Sequence, residues 1–175
     1  MTYFHKYIEQ YIEIVKRTKN IDNFYNKIKK FKKKNKGKII LLGNGGSSAI
    51  SSHIATDFTK ASGIRAITFS DPDMLTCYSN DYGYEKWMEV ALKNYSSKND
   101  LVILVSSSGN SPNIINAAKF CKNHKIDLIT FSGFSKKNKL QKYGSVNIWI
   151  DSKSYNFIEV AHLQILASAV DKFLI

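Results

Sequence analysis

Apolar and polar positions along the chain alternate between two periods. Short, almost wholly apolar runs at 39–42 and 101–105, with further β-like runs at 66–69, 126–131 and 146–150, have the signature of strands buried on both faces. Between and around them the apolar residues recur at helical spacing. Phe4, Ile8, Tyr11, Ile12 and Val15 mark a first helix, and a second is expected from Asp22 to Lys34. A helix is expected in the SSAISSHIATDFTKA segment, another from Pro112 onward, and a long, strongly apolar one over 157–174. Strands that alternate with helices imply parallel pairing, because parallel neighbours need a crossover connection. The expected fold class is α/β: a three-layer, doubly wound sandwich around a five-stranded parallel sheet. It is preceded by an N-terminal helical segment (1–36), and residues 1–175 form one domain.

Two of the strands run into loops rich in small residues. The first is GNGGS, at 43–47, and the second is SSSGNS, at 106–111. In an open parallel sheet such loops sit at the carboxyl edge, where ligands bind. There a phosphate meets helix N-terminal amides, and serine hydroxyls add donors without bulk. Neither loop has the Lys-Ser/Thr of a nucleotide-triphosphate loop, and GNGGS is not a dinucleotide fingerprint. The plainer reading is two Ser/Gly turns with N-caps; their recurrence in one strand–loop–helix setting favours anion binding.

Charge changes this picture little. The net formal charge is +12, and its densest run is KIKKFKKKNKGK at 27–38. That run falls where a helix ends and a strand begins, which reads as a solvated helix terminus. No recognition helix, aromatic strand or zinc finger accompanies it, so a nucleic-acid partner is not expected. The two cysteines, Cys77 and Cys121, are far apart and read as inert packing residues. The amino-terminal stretch has neither a signal-peptide core nor a membrane span, so a cytoplasmic location without a membrane partner is expected. His5 and His124 are assigned to the surface.

GNGGSSAISSHIATDFTK, SNDYGYE and SSSGNSPN, in this order and spacing, resemble the phosphoheptose isomerases of the sugar-isomerase (SIS) superfamily, and the likeness extends over nearly the whole chain. The resemblance implies a flavodoxin-like fold, a homotetramer with shared active sites, and conversion of sedoheptulose 7-phosphate to the aldose glycero-manno-heptose 7-phosphate for surface polysaccharides. It also implies the binding residues: Asn44, Gly45, Gly46 and Ser47 at the sugar, Asn80 and Asp81 lining the site, and Ser106, Ser107, Ser108 and Ser111 on the phosphate. Asn80 to Gly83 reads equally as a plain turn.

Aldose–ketose exchange needs a base beside the carbonyl and an acid at its oxygen. The family carries a His and a Glu four residues apart on the first-loop helix; here these are His53 and Asp57. On the closing helix Glu159 stands for the family's Gln, His162 matches a His, and the second family His falls at Ala167. Asp57, Glu159 and His162 are therefore the catalytic candidates. His53, Asp57 and Glu159 are the candidate ligands of a Zn2+ ion, with no fixed fourth ligand. Other readings stay open: His162 as a hydrogen-bonded core histidine, Glu159 as a first-turn helix residue, and His53 with Asp57 as a surface pair. A related isomerase for another sugar phosphate, or a non-catalytic phosphosugar-sensing module, is the alternative function.

Overall fold

A computed structural model describes residues 1–174. Two helices, α1 (Tyr3–Lys16) and α2 (Ile21–Lys34), lead into strand β1 (Ile39–Gly43) and helix α3 (Gly46–Ser62). Strand β2 (Ala66–Thr68), helices α4 (Pro72–Tyr82) and α5 (Trp87–Tyr95), strand β3 (Leu101–Ser106) and helix α6 (Pro112–Asn123) follow. Strand β4 (Asp127–Ser132), a 3-10 turn (Lys139–Lys142), strand β5 (Val146–Trp149) and helix α7 (Tyr155–Lys172) end the order. All neighbouring strands pair in parallel, in the order β2-β1-β3-β4-β5. This is the five-stranded parallel α/β arrangement expected from the apolar runs.

Burial explains why β1 and β3 are uninterrupted hydrophobic runs. Ile39 and Leu41 pack with α2, α3 and α7 on one face, whereas Ile40 and Leu42 pack with α5 and α6 on the other. A strand covered on both sides has no polar face to alternate. Strand β2 lies at the sheet edge, and its three residues are only half-buried. Helix α1 has no fully buried residue; it lies beside α7 through Tyr7 and Tyr11 on the Phe157 ring.

The two segments between β2 and β3 differ from expectation. No helix is expected at 72–95 above, yet α4 and α5 fill it, and Asn80 and Asp81 sit in the last turn of α4 rather than in a turn. Cys77, on the same helix, is exposed rather than packed, with its Sγ 3.7 Å from Asp81 Oδ2; Cys121 is buried. At the opposite, amino edge of the sheet, the buried Asp100 accepts hydrogen bonds from the Lys38 and Ser97 amides and from Lys38 Nζ. Burial pushes the Asp100 carboxyl up, but the Lys38 and Ser97 donors outweigh it and hold it below the ordinary carboxylate range.

Candidate active site

Between β1 and β3 the chain direction across the sheet reverses, since β1 crosses to β2 on one side and β3 continues to β4 on the other. In open parallel sheets such a reversal places the ligand crevice at the carboxyl ends of the two strands. Gly43 pairs with Val105, so Asn44 and Ser106 stand side by side where the two strands end. Both glycine/serine loops therefore reach one place, as their sequence setting requires.

Each loop ends at a helix that opens without a side-chain cap. Gly45 (φ 53°) stands at the N-cap of α3, and the Ser111 hydroxyl at the N-cap of α6 makes no capping bond. Thr2, Asp71 and Ser154 cap α1, α4 and α7, whereas α2 and α5, away from the loops, are also without a side-chain cap. In α6 Pro112 has no N–H and Asn113 Oδ1 accepts from the Ile114 amide, so the Asn113 amide is what the first turn leaves for an anion, at the positive end of the helix dipole.

Within the second loop the hydroxyls divide into structural and free groups. Ser106 Oγ accepts from the Gly109 amide and Ser108 Oγ from the Asn110 amide, which folds the loop back on itself. Ser107 Oγ is buried and has no partner. Its backbone carbonyl accepts from the Gly133 amide, and the Lys139 and Leu140 amides donate to Asn110 Oδ1 and Gly109 O. The connector after β4 thus forms a wall of the loop that sequence reasoning missed. Asn138 braces that connector from inside: it is buried and donates to Ser132 Oγ and Ser135 O.

The two loops are also tied to each other. Asn44 and Asn113 form a reciprocal carboxamide pair, at 3.0 and 2.9 Å, and Tyr84 Oη donates to Asn44 Oδ1. Asn113 was not among the expected site residues. Its partner is 69 positions away, so only the SPN of the second motif hinted at it. Ser47 is buried in the first turn of α3, with its carbonyl bonded by Ser51 Oγ. Asn80 and Asp81 are exposed and bond to each other; Tyr84, a few residues on, is what reaches the first loop.

The acid/base candidates separate. Glu159 from α7 reaches the start of α3: a Cβ on Gly46 would fall inside its carboxylate. His53 Nε2 lies 3.3 Å from Asp57 Oδ2 on the outer side of α3, with side chains 61% and 35% exposed. At 1.5 Å per residue those two stand about 10 and 16 Å down the helix axis from Gly46. His53, Asp57 and Glu159 therefore do not form a zinc set within one chain, and among the described residues no group of three His, Cys, Asp or Glu side chains converges. Helices α3 and α7 run side by side from the Glu159–Gly46 contact to the Ser62 Oγ bond on Val170 O. Position 167 falls beside the stretch that carries Asp57, and Ala167 brings no ligand there.

His162 is a core histidine, which corrects its expected catalytic role. It is fully buried, its Nε2 donates to Ser132 O at 3.2 Å, and its ring meets Phe131 edge-on. Burial pushes its pKa down to about 4, against the pull of the Ser132 carbonyl. The imidazole is neutral at pH 7, with the proton on Nε2 and nothing bonded to Nδ1. The folded state binds this proton less readily than the unfolded chain, whose ordinary value is 6.5. Stability is therefore complete above pH 6.5 and falls as the pH drops toward 4, by up to about 3 kcal/mol. Urea unfolding at pH 7 and pH 4.5 should show this loss in the wild-type chain and a smaller one in His162→Leu; equal losses would contradict the assignment.

Comparison with known proteins agrees with the geometry. The family model described as SIS domain matches residues 2–133. The phosphoheptose isomerase of Cytophaga hutchinsonii is 34% identical over 140 residues, covering 77% of this chain and 73% of that protein. That of Fusobacterium nucleatum is 29% identical over 164 residues, covering 91% and 84%. A solved phosphoheptose isomerase from Francisella tularensis superposes with a TM-score of 0.81 at 22% identity, over 98% of this chain and 97% of that one. A shared fold, a family model that spans most of the chain and a relative matched over most of its length all agree, and the chain belongs to the SIS domain family, among the phosphoheptose isomerases.

Proposed function

We propose that this chain is an aldose–ketose isomerase that converts sedoheptulose 7-phosphate to D-glycero-D-manno-heptose 7-phosphate, a precursor of surface polysaccharide. One observation carries the reading: a partnerless buried Ser107 hydroxyl and the uncapped start of α6 stand beside a first loop that holds the Glu159 carboxylate at Gly46. The phosphate is held by Ser106, Ser107, Ser108, Ser111 and the Asn113 amide at the start of α6. Asn44, Gly45, Gly46 and Ser47, with Asn80 and Asp81, line the sugar. A base takes the C1 proton of the ketose as O2 is protonated and the enediol forms; a proton returned to C2, with loss of the O1 proton, gives the aldose. Glu159 is the base in this scheme. Asp57, oriented by His53, serves as a second carboxylate.

The distance along α3 between Glu159 and Asp57 fits a site completed by a second subunit. A homotetramer with shared active sites is supported by the exposed apolar side chains Tyr3, Phe4, Ile8 and Ile12 of α1 and Tyr155 and Val160 of α7, which one chain leaves uncovered. Among the described residues no helix is long and apolar enough to cross a membrane, in keeping with the cytoplasmic location we assign.

Incubation of the purified protein with sedoheptulose 7-phosphate, with the aldose followed by chromatography, tests the reading. Turnover of this ketose well above that of fructose 6-phosphate is the expected result. Tight binding of the phosphosugar without turnover would replace the enzyme by a sensor, and turnover of fructose 6-phosphate alone would replace the substrate.

A further inference from the structure

Away from the crevice, a cavity of about 510 Å³ opens between the α1–α2 turn, the connector after β4 and the end of β5. Its lining includes Arg17, Lys19 and Lys136, against a single carboxylate, Asp151. Among the described residues none of these four enters an ion pair. Two more lining residues, Gln141 and Trp149, carry buried N–H groups that nothing in the chain accepts. The walls are fixed rather than loose. Asn20 Nδ2 donates to Asn147 O, Asn147 Nδ2 donates to Gly144 O, and its Oδ1 accepts from Thr130. Lys136 Nζ stands 5.9 Å from the centre of the Trp149 ring, so one cation already lies over the flat wall.

Three cations against one carboxylate, with two buried unsatisfied groups that are both donors, describe a site for acceptor oxygens. The volume is that of a small-metabolite pocket, too large for a lone inorganic ion. From these observations we infer that the cavity binds an organic phosphate, with Arg17, Lys19 and Lys136 on the phosphoryl oxygens and the organic part along Trp149. The site is separate from the crevice, because its residues come from the α1–α2 turn and the β5 side. It shares only the connector whose Lys139 and Leu140 amides grip the phosphate loop.

ADP without divalent metal serves as the probe, since it offers a diphosphate for the cations and a flat ring for the indole. Equilibrium dialysis at fixed ionic strength against the wild-type chain should show saturable binding. Arg17→Gln and Lys136→Gln, both at exposed positions, should each weaken it roughly tenfold, the loss of one charge-assisted contact. Ser108→Ala, in the phosphate loop, should leave it unchanged. The inference is overturned if ADP fails to bind, if both charge variants bind it like the wild type, or if Ser108→Ala weakens it as much as they do.

Discussion

Glu159→Gln is expected to lower turnover of sedoheptulose 7-phosphate by about 10²–10⁴-fold while leaving KM nearly unchanged. The carboxylate is positioned by backbone, not by a charged partner: it lies against Gly46 at the start of α3, and no side chain of the described residues donates to it or pairs with it. Its lone pairs are thus available to a substrate proton. The phosphate contacts proposed above lie on the second loop and are untouched by the change. Glutamine keeps the shape and the packing on Gly46 but cannot accept a proton at neutral pH, so the loss should appear in kcat. Wild-type kcat in the Gln variant, with loss instead in Asp57→Asn, would move the base to α3 and sink the assignment.

Much of this site was legible before any coordinates because its frame depends on strong local signals. Runs such as 101–105 are apolar at every position, so burial on both faces followed directly, and a parallel sheet forced both small-residue loops to the same edge. Side-chain destinations across the fold were not legible. His162 and Glu159 are three residues apart on α7, and helical spacing alone predicts a shared face. In the fold one turns under β4 to Ser132 while the other reaches α3, because α7 is apolar almost all round and packs against both. The α4–α5 region escaped notice for a related reason. In α4 the inward residues Met74, Leu75 and Tyr78 are only partly buried, so the pattern that announces a core helix is diluted; in α5 the pattern is present, since Trp87, Met88, Ala91 and Leu92 recur at helical spacing and are all buried, but it spans little more than two turns. Asn113 and the connector at 133–140 contribute through contacts between distant segments, which no local pattern encodes.

Two glycines in the first loop separate the cost of a fold change from the cost of a misplaced carboxylate. A methyl group on Gly43 would meet the backbone of Ser47, which cannot retreat without moving the first turn of α3. Gly43→Ala should therefore destabilise the chain by about 1–3 kcal/mol, or more if α3 shifts, and lower the thermal midpoint by several degrees. On Gly46 the same methyl group meets only the far end of the Glu159 side chain, which can swing away. Alanine is also the better helix former by about 0.5–1 kcal/mol. Gly46→Ala should keep or raise the midpoint and still cut turnover at least tenfold, because the displaced carboxylate leaves the head of α3. In a Glu159→Gln background, Gly46→Ala should add little further loss, since the two changes remove one function. Full turnover in Gly46→Ala, or strictly additive losses in the double variant, would mean that the position of Glu159 at the head of α3 is not what the chemistry uses.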